Sequence, residues 1–448
     1  MLNRITLLLV LSLTSISADD WPQYLGPQRD AVWRESGVEL NFSTRPPKLL
    51  WKRPLGGGYS GPAVSGGRVF VVDRRGKPVE SVRLPKGKNP NFVREPLPGK
   101  ERVVCLDANS GRTLWQKEYE ATYSSAALYA IGPRCTPLIH DSLVYSLGAE
   151  GQLLALNAGT GNIVWQKDFA TDFGLEMPEW GTAAHPVIHE DLLICTVGGK
   201  GSTVVAFDRK TGAERWRSLN APQPGYATLV IEKINDVQQL LVWDSDKLNG
   251  LDPATGKLHW NLTFRPMFAM SIGAPRIHED LIWVMGFNGR SAAIRVTRNN
   301  QRAEFAWMPS PKKGVAGVLN TALLLDGYIY SGGRRGQFRC VDIRTGERIW
   351  ESPKPLLKAD GSGRGAWQSA FTVYHEPSGQ TLIFNDHGEM ISARLSPKGY
   401  QEAARTRIIE PTHRVSGRML VWSHPALANG RLYCRNDKEI RCYDLRAE

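Results

Sequence analysis

Ala206-Phe-Asp-Arg-Lys-Thr-Gly-Ala-Glu-Arg-Trp216 decides the fold of this chain, because it recurs. The order is a small residue, an apolar one, Asp or Asn, two variable residues, Ser or Thr, Gly, three more residues and Trp. It returns at Cys105 to Trp115, Ala155 to Trp165, Gly250 to Trp260 and Cys340 to Trp350. Trp307 ends a looser copy, and Trp51 keeps only the back half of one. Successive copies stand roughly 43 to 51 residues apart, the length of four short strands and their turns, and that period marks a propeller.

Between copies the sequence alternates β-rich runs with turns. His185 to Val197 holds two runs that meet at Glu190-Asp191. Gly198 to Ser202 turns into Thr203-Val-Val-Ala-Phe-Asp208, and Lys210-Thr-Gly212 turns again into the Trp216 run. This reads as a four-stranded antiparallel meander, with strands A to D running from the central channel outwards. First strands begin near Gly61, Thr136, His185, Thr228, Ala274, Thr321, Phe371 and His424. The fold class is therefore all-β: an eight-bladed β-propeller of four-stranded antiparallel blades. Blade 7 has no Trp in its outer strand, and Ala404 to Ile408 takes that place. Blade 8 stops at Tyr443-Asp444 without a fourth strand. Leu49-Leu-Trp-Lys-Arg-Pro-Leu55 matches the outer-strand pattern, so an N-terminal outer strand closes the ring and removes an exposed edge.

The domain reading of the 448 residues follows: residues 1–18 a signal peptide, 19–46 an irregular leader packed on the propeller, and 47–448 the eight blades. Arg4, the apolar run Ile5 to Leu13 and Ser15-Ile-Ser-Ala18 have the form of a cleaved signal, and no later run is long enough to span a bilayer. Periplasmic or secreted localisation is expected, with no lipid-anchoring Cys at the cleavage point. The formal charge is +12. Blade 1 carries a basic, Pro-rich insertion at 73–102, with nine Lys or Arg against four Asp or Glu. It reads as a solvated loop or as a patch for an anionic glycan or headgroup; export argues against nucleic acid. Of six cysteines, Cys105, Cys340 and Cys442 fall on equivalent positions of separate blades, too far apart to bond to one another. Cys434 and Cys442 lie on the last hairpin and could bridge if their register matches.

These repeats resemble the pyrroloquinoline-quinone-type (PQQ-type) propeller repeat, whose tryptophan-docking pattern Ala-x-Asp-x-x-Thr-Gly-x-x-x-Trp is matched by Ala206 to Trp216. The resemblance implies the fold and two functional branches. One is the BamB-like propellers, binding scaffolds for partner proteins without a cofactor. The other is the quinoprotein dehydrogenases, which hold PQQ, usually with Ca²⁺, in the channel mouth. The chain has no adjacent Cys-Cys pair and no Cys-x-x-Cys-His, two marks common in the second branch. The leading expectation is a scaffold for an envelope protein or a small ligand, and the alternative is a PQQ-dependent alcohol or sugar dehydrogenase.

In either case a propeller site forms where D–A connections and B–C loops meet at one end of the channel. Tyr59, Arg134, Tyr226 and Trp422 precede inner strands. Trp180, His185, Trp367, Gln368 and His424 are expected to line the same end, and the B–C loops add Glu150, Lys200, Asp244, Asp246, Asn288, Arg334, Arg335, Asp386 and His387. Small residues such as Ser60, Cys135, Ala184, Ala227 and Ser423 would leave a bore, with Asn320 the larger exception. A quinone would ask for an aromatic floor, cations and Ca²⁺ ligands; Trp367, Arg134, Asn320 and Asp244 are of those types. His140, His189, His278 and His375 all precede Asp or Glu. They recur at A–B turns of separate blades, so turn structure explains them better than a metal site. No nucleophile motif, phosphate loop or zinc spacing appears.

Overall fold

The computed structural model describes residues 19–77, 95–123, 132–288, 291–308, 310–415 and 417–447. The expected signal at 1–18 and the middle of the basic insertion lie outside them. Eight blades form the ring. From first to last strand, blade 1 runs from Ala63–Ser65 to Thr113–Ala121, blade 2 from Leu138–His140 to Ile163–Asp168, and blade 3 from Val187–His189 to Glu214–Ser218. Blade 4 runs from Val230–Ile234 to Leu258–Thr263, blade 5 from Arg276–His278 to Ala303–Trp307, blade 6 from Leu323–Leu325 to Arg348–Ser352, and blade 7 from Ala370–His375 to Gly399–Arg407. In blade 8, Ala426–Ala428, Arg431–Arg435 and Glu439–Asp444 are joined by Lys48–Pro54, with Trp51 opposite Cys442. The ring thus closes on an N-terminal outer strand, which leaves no unpaired blade edge at the seam.

There is no separate core. Each buried apolar cluster straddles a seam between neighbours, as Phe70 and Val103 of blade 1 do with Leu154 and Leu156 of blade 2. The repeated motif is the device that registers one blade on the next. Asp208 Oδ1 accepts from the backbone N–H groups of Lys210 and Thr211 and from the Thr211 hydroxyl, which folds the C–D turn. Gly212 then takes φ +72°, and the Trp165 ring of the preceding blade lies where a Cβ would stand, 2.7 Å from it. The Trp165 indole donates to Arg209 O at 3.0 Å. Gly111, Gly161, Gly256 and Gly346 carry Trp51, Trp115, Trp216 and Trp307 in the same way. Indole N–H bonds to Ala108 O, Ala158 O and Ile343 O complete three of these contacts. The motif's small first residue is also explained. It lies directly opposite the Trp of its own sheet, as Cys105 opposes Trp115 and Ala206 opposes Trp216, beside a register shift in the ladder.

Two departures from the repeat have local causes. Blade 5 has no Gly in its C–D turn, so Trp260 of blade 4 turns back over its own sheet and donates to Gln239 Oε1 at 2.6 Å. A Cβ on Gly250 would then lie 2.3 Å from that ring, which is why Gly stands where other blades have Ala or Cys. Blade 7 has Ala404 opposite Ser392 at the Trp position. Its neighbour, blade 8, has no C–D turn to receive a Trp, because its outer strand comes from the N-terminus.

The leader lies across the A–B turn end and enters the channel. Trp21 bridges to Val64, Val32–Trp33 adds a parallel strand beside the first strand of blade 7, and Glu35 accepts from Asn429 and Gly430 N–H. Tyr24 reaches the axis. Its ring stacks on His185 at 3.9 Å, meets His424 edge-on at 4.6 Å, and its hydroxyl bonds Thr321 at 2.9 Å. Arg29 donates to Pro186 O and Leu229 O. The small inner residues therefore admit the leader rather than leaving an open bore.

The described ends of the basic insertion extend blade 1 as a ladder from Arg68 opposite Asp107 to Gly76 opposite Gly99. Among its described residues two cations are inside: Arg102 pairs with buried Asp73 at 2.6 Å, and buried Arg74 donates to Leu97 O. These two cannot serve an anionic partner at the surface. Cys434 lies opposite Arg441 and Cys442 opposite Tyr433, so a one-residue offset turns the two thiols to opposite faces. All six cysteines are free and buried, and burial pushes Cys442 up to about 12.

Candidate functional site at the loop end of the channel

The residues named from sequence divide into three groups. The first faces the leader. His185 is buried and His424 half-buried against Tyr24, and His185 Nδ1 bonds Thr228 at 3.0 Å. Burial drives both imidazoles down, His424 to about 3, with His424 and Arg29 adding to the effect on His185. They face the channel, but leader atoms cover them.

The second group holds loops together. Asp244 Oδ1 accepts from Asp246 and Lys247 N–H, and its Oδ2 takes Asn249 Nδ2 at 2.8 Å; burial raises its carboxyl. Asn320, 1% exposed, donates to Ser331 and accepts from Ser369. Gln368, fully buried, donates to Leu356 O and Gly363 O. Glu150 caps Tyr123 N–H at 2.9 Å. Asp386, nearly fully buried, pairs with Arg418 at 2.5 Å; burial still pushes it up, and the neighbouring His387 is pushed down by burial.

The third group is aromatic and forms two sectors, with Phe268 exposed, Tyr59, Arg134, Trp180 and Trp367 half-buried and Tyr226 and Trp422 buried. Over blades 4 to 6, Trp367 stacks on Phe287 at 5.0 Å with an interplanar angle of 15°. The Arg334 guanidinium also sits over the Trp367 ring, 4.7 Å from its centroid. Phe268 meets Phe287 at 6.3 Å and is 63% exposed, beside exposed Met267. Phe268 and Trp367 hold φ of +57° and +62°, uncommon for bulky side chains. Farther round, Trp180 and Tyr226 meet edge-to-face at 5.8 Å.

The other sector joins blades 7, 8, 1 and 2. Tyr59 Oη bonds His413 Nε2 at 2.7 Å, and His413 Nδ1 bonds Asp437 Oδ2 at 3.0 Å. The Arg134 guanidinium lies 5.5 Å from the Tyr59 ring centroid, and Trp422 packs beside Tyr59 and His413. Burial works to raise the Asp437 carboxyl, but its bond to His413, the charges of His413 and Arg435 and the Gly58 N–H outweigh that and hold it below the usual range. Sequence reasoning missed His413, Asp437, Phe268 and Phe287. Asp437 and Phe287 occupy the B–C turns of blades 8 and 5, so the turn count that named Asp244 and Asp386 could have found them. His413 belongs to a hairpin, His413–Val415 with Arg418–Leu420, in the long connection between blades 7 and 8, where no repeat predicts geometry.

The four histidines at A–B turns each end a first strand in separate blades. His375 bonds Glu35 O and Ser378, and His278 bonds Arg344.

An eight-bladed ring with inter-blade Trp-on-Gly contacts and a loop-built mouth is a propeller of the PQQ-like type. The family described as outer membrane protein assembly factor BamB matches residues 99–352, more than half of the chain, and the chain belongs to that family. BamB of Yersinia pestis is 22% identical over 230 residues, covering 48% of this chain and 55% of that protein. A polyvinylalcohol dehydrogenase of a Pseudomonas species is 21% identical over 347 residues, 61% of this chain and 54% of that one. The chain spans about half the length of these curated relatives. Two solved structures share the fold. BamB from Moraxella catarrhalis aligns with a TM-score of 0.56 at 16% identity, over 89% of this chain and 97% of that one. Quinohemoprotein alcohol dehydrogenase from Comamonas testosteroni aligns with 0.62 at 12%, over 96% and 81%.

Proposed function

We propose that this propeller is an exported binding scaffold that holds a partner protein at the cell envelope through the aromatic sector of its loop end. The observation that carries the reading is the aromatic run of exposed Phe268 with half-buried Phe287 and Trp367, flanked by exposed Met267 and half-buried Arg334. Phe, Trp, Met and Arg are the side chains that dominate protein interfaces, and exposed apolar patches of this kind mark interaction sites. Arg334 and the exposed Arg335 suit a partner with acidic residues around an apolar centre. Membership of a family described by an assembly factor agrees with this, as does the signal-like N-terminus. No helix among the described residues is long and apolar enough to cross a membrane.

The quinoprotein alternative fits the side chains less well. Asp244 and Asn320, the acidic and amide groups suited to Ca²⁺, are buried and spent on Asn249, Ser331, Ser369 and backbone N–H groups. Trp367 already has Phe287 on its face. The test is site-specific crosslinking in the host envelope from positions 268 and 367. One crosslinked protein, lost in Phe268→Ser and Trp367→Ala, is the expected outcome. A Tm rise and a quinone absorbance change on adding PQQ with Ca²⁺, with dye-linked alcohol oxidation, would overturn the scaffold reading.

A further inference from the structure

A short stretch of the leader bonds to every blade, at the end of the channel away from the docking patch. Trp21 exchanges backbone hydrogen bonds with Val64 of blade 1, and Pro22 O accepts from Ile139 N–H of blade 2. Arg29 donates to Pro186 O and Leu229 O, just before the first strands of blades 3 and 4, and Arg276 of blade 5 donates to Arg29 O at 2.9 Å. The Tyr24 hydroxyl bonds Thr321 ahead of blade 6, Ala31 O accepts from Tyr374 N–H of blade 7, and Glu35 accepts from Gly430 N–H of blade 8. The backbone is bent to make these contacts. Leu25, Arg29 and Ala31 hold φ of +66°, +58° and +61°, a region that L-residues seldom occupy.

Three histidines hold this segment, and none has a carboxylate to share a proton with. Tyr24 lies between His185, stacked at 3.9 Å, and His424, edge-on at 4.6 Å; Phe371 packs on His424 at 3.9 Å. His185 Nδ1 bonds Thr228, while its buried Nε2 has no hydrogen-bond partner among the described residues. His375 Nε2 donates to Glu35 O at 2.7 Å, its Nδ1 bonds Ser378, and Trp33 covers its ring at 5.0 Å. The His185 and His424 rings are 6.5 Å apart, and the charges that reach His185 and Tyr24 from the surrounding elements are the cations Arg29 and Arg276. Asp30 and Glu232 act on Arg276 rather than on the histidines. A proton added to either axial ring would sit unpaired beside like charge, which a desolvated site strongly disfavours. Burial accordingly holds all three imidazoles low, His424 at about 3.

We propose that residues 21–35 are an acid-released plug of the channel, expelled when His185, His424 and His375 take up protons while the blades stay folded. Once the segment leaves, the three imidazoles titrate near the ordinary value of about 6.5. The released state then binds the extra protons, so docking is complete above about pH 6.5 and weakens below it by up to about tenfold per pH unit for each histidine. Glu35 opposes this: burial raises its carboxyl, so it takes up a proton in place. One group against three leaves release as the net response to acid. The ring can outlast its plug because Lys48–Pro54, which closes blade 8, follows the segment in the chain and is held by its own ladder to Glu439–Asp444.

The experiment places a nitroxide label on the full chain at Gln28→Cys, an exposed position in the plug, the six native cysteines being buried. Label mobility and far-ultraviolet circular dichroism are followed in the same samples from about pH 7.5 to about pH 4. A restricted label at neutral pH that turns mobile within this range, with the sheet signal unchanged, is expected. His185→Phe with His424→Phe keeps the stacking and should lower the midpoint by about one pH unit or more. Should that pair fail to fold, His424→Phe alone should lower it by a smaller amount, and Tyr24→Ala should free the label already at neutral pH. A label restricted throughout, a midpoint unmoved by the histidine replacements, or release only together with loss of the sheet signal overturns the proposal.

Discussion

Replacing Gly212 by Ala tests the claim that each blade is registered by a Trp seated on the next blade's turn. Two costs arise there. Gly212 has φ +72°, and an L-residue in that region costs about 1–2 kcal/mol. The new Cβ would stand 2.7 Å from Trp165 Cδ2, inside any permitted contact, and forcing an indole aside in a packed seam costs about 1–3 kcal/mol more. Gly201, in the same blade, separates these terms. Its φ is +73° but nothing lies within 4 Å of its Cβ position, so Gly201→Ala carries the backbone cost alone. The expected losses are roughly 2–5 kcal/mol for Gly212→Ala and about 1–2 for Gly201→Ala. Urea unfolding followed by tryptophan fluorescence and circular dichroism gives both, and coincidence of the two probes checks that the transition is two-state. In a Trp165→Leu background the smaller side chain removes the clash, so the extra cost of Gly212→Ala should vanish. Equal losses at 212 and 201, or an unchanged gap in the Trp165→Leu background, would refute the reasoning.

Three further outcomes follow from the same structure. Gly250→Ala should destabilise by about 1–3 kcal/mol with no contribution from backbone strain, because its Cβ would meet Trp260 at 2.3 Å while its φ is ordinary; a neutral result in urea unfolding counts against the inward-turned Trp260. Deleting residues 47–55 removes the outer strand of blade 8 and should abolish the single cooperative melt, whereas a fully stable deletion would contradict closure. His424 has a folded pKa pushed down to about 3 against about 6.5 when unfolded. The unfolded chain therefore binds the extra proton between these values, so the stability is present above about pH 6.5 and is lost as pH falls towards 3. His424→Phe should flatten that part of the pH–stability curve, and an unchanged slope would show that His424 is not held neutral against Tyr24.

The repeat made the blades legible because its residues are chosen by local and nearest-neighbour physics. Asp208 and Thr211 fold their own turn, Gly212 supplies the left-handed corner, and Trp165 needs a flat seat and an acceptor. Such requirements recur at every seam, so they are visible as a period. The mouth is different. Tyr59, Arg134 and Trp422 could be placed there because each directly precedes an inner strand. Their partners could not, since His413 and Asp437 are 24 residues apart and meet Tyr59 from more than 350 residues away. Asp244, Asn320 and Gln368 were of suitable chemical type for ligands, but type does not reveal whether neighbouring backbone already uses the side chain. The leader was legible as aromatic and irregular; that Tyr24 reaches the axis is a consequence of the small residues lining it.

The places where the repeat lapses are themselves informative, because they come in matched pairs. Blade 5 lost the Gly of its turn, and Trp260 turned inward over a Gly in its own sheet. Blade 8 has no C–D turn, and blade 7 has no Trp to place on one. A propeller without chemistry could tolerate any such lapse that both sides of a seam share. The hydrogen-bonded chain of Tyr59, His413 and Asp437 is not of this kind. It draws on the connection into blade 1, the hairpin before blade 8 and the B–C turn of blade 8. None of these three residues seats a Trp or folds a C–D turn of the repeat, the two tasks that recur at the seams. The alignment of a phenol, an imidazole and a carboxylate is therefore set by three connections that the seams leave free to vary, which is why no period in the sequence announces it.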